Sequence, residues 1–342
     1  MRVMEAASIE RAADYIRSVQ RGDGSIPWFE GGITDPWDHV EAAMGLNVAA
    51  DEDNARRALD WLKEQQNADG SWYATYDEHG VADASRIETN FTAWVATGVW
   101  HHWLAFHAEQ RDYPELRRYW PMVRAAIDYV VDLQAPTGEI WWAVDARTGI
   151  SHDALVTGCS AIAKSIECAC AMGQSLGEPT ERWTDAYRRL RRTLLEAPER
   201  FDRTWESKRR FSMDWFYPVL SGVMTGPEAR SHLERHWSRF VEEQRGCRCV
   251  ADRPWVTIAE SSELVLALSA AGMDAEAREL FSWLMPYRAE DGSFWTGFEY
   301  EQQVYWPDER PTWTTAAVLL AADALQGISG SRAIFTRPQA VL

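Results

Sequence analysis

The sequence predicts an all-α fold, an (α/α)6 toroid of six helical hairpins closed into an inner and an outer ring. Three observations carry that prediction. Twelve segments repeat apolar residues at the helical period, the segments fall into pairs, and the second member of each pair is apolar nearly all round.

The pairs run in order along the chain. The first spans about 5–20 and 36–49, the second 54–66 and 87–107, the third 116–134 and 152–175. The fourth spans 180–196 and 213–224, the fifth 227–243 and 257–271, the sixth 274–287 and 312–326. First members carry a polar face, as in the stretch from Asp51 to Lys63, which suits an outer ring. Second members resemble the run from Ala316 to Leu325, which must be buried on every side. A degenerate repeat joins them: Gln20 to Gly24 to Trp28, Gln66 to Gly70 to Trp72, Gln134 to Gly138 to Trp141, and Arg288 to Gly292 to Trp295. Asp-Gly and Thr-Gly are turn chemistry after a helix end. No alternating pattern is long enough to predict a sheet. Residues 1–330 read as one closed domain and 331–342 as a C-terminal tail.

Composition bounds the function. Of 342 residues 46% are hydrophobic, enough for a large core, and the net charge of −17 repels nucleic acid and anionic membranes. The first residues lack an apolar signal core, and no run spans a bilayer. Five cysteines, an odd number, argue against a disulfide framework and for a reducing cytoplasm. Cys168/Cys170 and Cys247/Cys249 lack zinc-pair spacing, so no metal or cofactor is expected. Nineteen tryptophans fit either bulky core filling or a cavity for flat apolar ligand faces, such as sugar rings or polyprenyl chains.

Gln66 to Trp72 matches the Q-x-x-x-G-x-W motif of triterpene cyclases. On it the chain resembles one toroid of the terpenoid cyclase and protein prenyltransferase superfamily, and it is similar to actinobacterial prenyltransferase-like proteins. The barrel is shared with six-hairpin, glucoamylase-like glycosidases, whose G-x-W-E segment is similar to Gly138-Glu139-Ile140-Trp141-Trp142. Trp142 stands where that family places its acid, so its general acid does not carry over. The resemblance implies the toroid and either of two activities.

In such a toroid the inner helices begin around one mouth, and here their starts collect carboxylates. Asp35, Asp38 and Glu41 open the first, with Trp37 and His39; Glu88 and Asn90 open the second. His152 and Asp153 open the third, Asp214 and Trp215 the fourth, Glu260 and Glu263 the fifth, and Trp313 the sixth. Capping explains part of this: Ser85 with Glu88 and Thr257 with Glu260 have capping-box spacing, and Asp35-Pro36 reads as an N-cap followed by proline. Glu41 and Glu263 lie a turn deeper among apolar neighbours, where a carboxyl's pKa rises. They could also be polar ties between helices. Lys164 and Glu167 read as a structural ion pair. His101 and His102 are adjacent, point different ways and predict no metal site.

A raised-pKa carboxyl beside an ionised one is what glycoside hydrolysis needs. The leading expectation is therefore a glycoside hydrolase acting on a small-molecule sugar substrate, with Glu41, Glu88, Asp214 and Glu260 as catalytic candidates. Trp37, Asp38, His39, Asn90, Asp145, His152, Trp215, Glu263 and Trp295 are the substrate-binding candidates. A terpenoid cyclase or prenyltransferase is the alternative, although its Asp-x-Asp-Asp motif and basic diphosphate patch are missing. A non-catalytic glycan- or lipid-binding toroid is the third reading.

Overall fold

Within each hairpin the division of polar and apolar faces decides which helix turns inward. The computed structural model describes residues 3–111 and 113–336. The amphipathic helices α1 (Ala6–Val19), α3 (Glu52–Gln65), α5 (Tyr113–Asp132), α7 (Glu181–Glu196), α9 (Gly226–Phe240) and α11 (Asp274–Leu284) bury one stripe and form the outer ring. The inner ring is α2 (Pro36–Val48), α4 (Thr89–Phe106), α6 (Val156–Leu176), α8 (Ser212–Leu220), α10 (Ile258–Ala270) and α12 (Thr312–Gln326). Each inner helix packs on the next, and α12 returns to α2. That closure is tight: a Cβ added at Gly45 would sit 2.7 Å from the Ala316 Cβ, so only a bare backbone fits.

The repeated turn is a brace between hairpins. Gln66 Nε2 donates to the Gly70 carbonyl (3.0 Å) and to Met122 O of the next outer helix (2.9 Å). Gln20 and Gln134 make the same pair of bonds, to Gly24 O with Asn54 O and to Gly138 O with Ala186 O. Gly70 has φ +95°, and a Cβ there would meet Ala125 O at 2.4 Å, so the turn needs glycine twice over. At the last joint Arg288 replaces glutamine and donates from Nη1 to Ser8 Oγ of α1 (2.6 Å), closing the outer ring.

Strands are a correction to the sequence reading. Ten short ones lie in the segments linking outer to inner helices: β1 (Thr75–Asp77), β2 (Gly80–Asp83), β3 (Arg86–Glu88), β4 (Ala143–Asp145), β5 (Gly149–Ile150), β6 (Val241–Glu242), β7 (Gly246–Arg248), β8 (Trp255–Thr257), β9 (Gly297–Glu299) and β10 (Val304–Tyr305). They form antiparallel sheets in the orders β1-β2, β3-β4-β5 and β10-β9-β8-β7-β6. None exceeds four residues, too short to show alternation in sequence. Two pairings stitch neighbouring hairpins together, β3 with β4 in the register Glu88↔Ala143 and β8 with β9 in the register Thr257↔Gly297.

Three helix starts also differ. α6 begins at Val156, so His152 and Asp153 precede it; Asp153 accepts from Ala154 N (2.8 Å) and Thr204 Oγ1 (2.7 Å) instead of capping a helix. Glu88 and Thr257 are N-caps of α4 and α10 by position, but neither side chain makes a capping bond, because strand pairing aims them elsewhere. Asp35 does cap α2, accepting from Trp37 N (2.9 Å) and Asp38 N (3.0 Å).

The far end of the barrel is plugged. Residues 331–336 of the expected tail turn back under it, and Ile334 and Phe335 are buried, with the Phe335 ring stacked 6.0 Å from Trp94. Lys164, buried and ion-paired with Glu167, donates to Ile334 O (3.1 Å). Asn47 bridges His101 and His102, and His101 reaches Ser331. The remaining tail residues, 337–342, lie outside the described residues.

Candidate active site

All six inner helices contribute to one cavity of about 260 Å³ at their N-terminal end. Its lining is Trp37, Asp38 and Glu41 from α2, Asn90 and Phe91 from α4, Thr157 from α6, Met213 from α8, Glu260 and Glu263 from α10, and Trp313 from α12. The local cause is the start of each helix. In α2 the Asp35 cap fixes the first turn, and Trp28 Nε1 holds the second oxygen of that carboxylate (2.6 Å). Residues two, three and six positions after the cap then face the barrel axis.

Four carboxyl groups share this cavity, and among the described residues no lysine or arginine lines it. Asp38 and Glu260 keep part of their surface open, while Glu41 and Glu263 are buried beneath them. Burial pushes Glu41 up to about 8, against a donation from Trp37 Nε1 (3.2 Å) and with Asp35 and Glu260 adding repulsion. Desolvation, then the charge of Asp35 and Glu41, holds Asp38 well above the usual carboxylate range. Glu263 is raised for the same first reason, with Glu41 second, and the Tyr217 hydroxyl donates to it. The cluster therefore retains protons at neutral pH, shared among neighbours rather than owned by one group. Burial and the adjoining Glu260 likewise keep the Cys249 thiol protonated.

Several cavity groups await a partner. Asn90 Oδ1 and Trp313 Nε1 are buried with no hydrogen bond. A buried donor or acceptor left unsatisfied costs about 1–3 kcal/mol, which a bound hydroxyl would relieve. Trp37 stacks on Trp94 with centroids 4.7 Å apart, so its position is rigid.

Among the expected site residues, Trp37, Asp38, Glu41, Asn90, Glu260 and Glu263 come together here. Glu88 and Asp214 are adjacent without lining the cavity. Glu88 pairs with Arg86 (3.0 Å) and burial raises it to about 7; Asp214 accepts from Thr157 Oγ1 (2.8 Å) and burial raises it to about 6. His39 and Trp215 do not reach the cavity: His39 follows the lining residue Asp38 by one position and Trp215 follows Met213 by two, rotations of about 100° and 200° around their helices. His39 accepts from Ile26 N (3.0 Å) and donates to Ala58 O (2.9 Å); burial lowers it to about 4 and keeps it neutral. Trp215 stacks on Phe240 of α9 (5.1 Å) and donates to His232 O (3.3 Å). Asp145 accepts from Arg147 N (2.8 Å) within its own turn, and exposed His152 lies against Trp141. Trp295 stacks on Tyr305 beyond the cavity lining.

Phe91, Thr157, Met213, Trp313 and Tyr217 escaped the sequence reading. Four of them sit in first turns of inner helices, Phe91 and Met213 beside the candidates Asn90 and Asp214. Trp313 was named only as the start of the sixth inner helix, so helix start alone was the usable signal. The donor set closest to a metal site lies elsewhere: His102, His107 and Glu115 have ligand atoms within 4.8 Å of one another. Arg56 sits on Glu115 (3.2 Å), and its cation opposes a metal there.

Comparison with known proteins bears on the fold and the class of activity. Residues 2–109 match the family model of the squalene-hopene cyclase C-terminal domain, which covers the first two hairpins. A glycosidase in complex with glucose superposes with TM-score 0.69 at 16% identity over 95% of this chain and 100% of its own. The GH63 mannosylglycerate hydrolase from Thermus thermophilus, also with glucose, gives 0.69 at 14% identity over 92% and 99%. These likenesses show the shared toroid. The MMP endo-(1,4)-3-O-methyl-alpha-D-mannosidase of Mycolicibacterium hassiacum is 46% identical over 97% of this chain and 90% of its own length. The chain therefore belongs to the family of that mannosidase, and it is a glycoside hydrolase.

Proposed function

We propose that the protein cleaves α-(1→4) bonds within chains of 3-O-methylated mannose, with Asp38 as the proton donor and Glu260 as the second carboxyl. The observation that carries the roles is that these two, on α2 and α10, are the cavity carboxyls with open surface, and that Asp38 is embedded among groups that keep it protonated. Asp38 gives its proton to the glycosidic oxygen as the bond from that oxygen to the anomeric carbon breaks. Glu260 assists attack on that carbon, through water or directly, and water supplies the new hydroxyl. Glu41, Glu263 and Tyr217 form the floor that maintains the proton supply. Phe91, Met213, Trp37 and Trp313 give the cavity an apolar wall suited to a methyl ether, and the substrate class follows the 46% identical relative.

The experiment is incubation with an α-(1→4)-linked 3-O-methylmannose oligosaccharide, followed by mass spectrometry and by NMR of the anomer released. Shorter oligosaccharides are expected, and retained or inverted configuration tells whether Glu260 attacks carbon or activates water. An intact oligosaccharide after prolonged incubation overturns the reading.

A further inference from the structure

Among the described residues, large exposed hydrophobic side chains are confined to the segments that lead into the inner helices. Among the described residues the large hydrophobic side chains that are exposed are Val81, Ile150, Val304, Tyr305 and Trp306. All five lie on β2, β5 or the β9–β10 hairpin with the residue after it, and each of these segments leads into an inner helix at the mouth. Among the described residues the outer wall and the plugged end show no large one. Such clustering marks a binding face, since scattered single residues are the ordinary case.

The strongest part is aromatic. Trp306 is 56% exposed and Tyr305 41%, and both stand on rigid supports. Tyr305 stacks on Trp295 at 4.7 Å with planes 12° apart, and the Arg310 guanidinium covers Trp295 at 5.3 Å. Trp306 meets Trp255 edge to face at 4.9 Å, while Trp255 Nε1 donates to Trp306 O (2.7 Å). The set is tied to the cavity through the chain, though none of its rings lines it. Strand β9 pairs with β8, which runs into α10 and Glu260; the chain beyond Trp306 runs into α12 and Trp313. A cavity of about 260 Å³ is at the scale of a small ligand, so a chain cut in its interior must extend over this rim.

We propose that Trp306 and Tyr305 form an outer subsite that stacks on the sugar units flanking the one held in the cavity. The ligand class is a glycan chain with apolar faces. Aromatic rings offer such a chain a flat, low-entropy surface independent of its hydroxyl pattern. The inference rests on the glycosidase reading, and it makes the rim the length sensor of the enzyme.

The test compares wild type with Trp306→Ala and Tyr305→Ala on two substrates, a long α-(1→4)-3-O-methylmannose oligosaccharide and an aryl glycoside that fills the cavity alone. Both side chains are exposed, and a melting curve checks that each variant is folded. KM for the long chain is expected to rise about tenfold, with kcat for both substrates and KM for the aryl glycoside within twofold. Calorimetric titration of the long oligosaccharide into Glu260→Gln, with and without Trp306→Ala, should show the same tenfold loss of affinity. Binding that depends on Trp306 without any hydrolysis by wild type would sink the glycosidase reading and leave the subsite. Hydrolysis with unchanged long-chain KM, or with an equal loss on both substrates, would overturn the subsite.

Discussion

The two ends of the barrel treat buried polar groups in opposite ways. At the plugged end Lys164 meets Glu167 and a tail carbonyl, and Asn47 links two neutral histidines, one of which reaches Ser331. At the mouth Asp38, Glu41 and Glu263 crowd together with only neutral donors, Trp37 and Tyr217, facing two of them. One end pairs its buried charges, with His102 Nε2 left without a bond among the described residues, and holds the ring shut. The other crowds carboxyls that must retain protons and leaves polar atoms unpaired among the described residues, the arrangement in which folding stability is given up for chemistry.

The largest effect separating the two ends should be on turnover. Asp38→Asn or Glu260→Gln is expected to lower kcat by about 10²–10⁴-fold, the usual worth of a positioned acid or base, while the melting temperature stays put or rises. Measured kcat beside a melting curve decides it; full activity in either variant would remove that residue from the mechanism. At the plugged end the pattern should reverse. Glu167→Met takes the carboxylate away from an ammonium that is 1% exposed, and breaking a buried pair in this way costs about 3–5 kcal/mol in denaturant melts. A loss below about 1 kcal/mol would mean the plug is not held by charge.

Phe335→Ala should cost about 3 kcal/mol, the low end for a buried phenylalanine, by emptying the space against Trp94 and beneath Glu41. The smallest effect concerns pH. Glu41 binds its proton more tightly when folded, at about 8 against 4.5 unfolded, so the folded state holds more protons between those values. Stability is greatest below the unfolded pKa and falls as pH rises through about 8. Glu41→Gln should flatten that decline, seen as melting temperature against pH; an unchanged slope would place the proton elsewhere in the cluster.

These ends were unequally legible in the sequence. The helices were readable because twelve amphipathic or wholly apolar periods leave little choice of ring, and the Gln–Gly turns repeat visibly. The strands were not, since residues such as Glu88 and Thr257 pair across hairpins far apart in the chain. Helix starts named the cavity end, yet could not rank neighbours in it. Asp38 and His39 differ by one position and by nearly a third of a turn, which sends one into the cavity and the other to Ala58. Trp313 and Met213 carried no charge to draw notice. The plug was invisible for another reason: six short polar and apolar residues near the C-terminus give no periodic signal, and only their fit beneath Trp94 makes them core.

The braces at the repeated turns carry one more implication. Gln20, Gln66 and Gln134 each clasp the following outer helix, and Arg288 clasps the first, while Val3 N and Met4 N both bind Gln326 Oε1. The result is a hoop whose seam, where α12 meets the residues leading into α1, is fastened much like the joints braced by glutamine. Tension in a hoop is shared around the circumference, so loosening one clasp does not create a free end that can unravel. It also means that the seam is no weaker in kind than a turn inside the chain, since each is held by side-chain bonds to a backbone or hydroxyl across the joint.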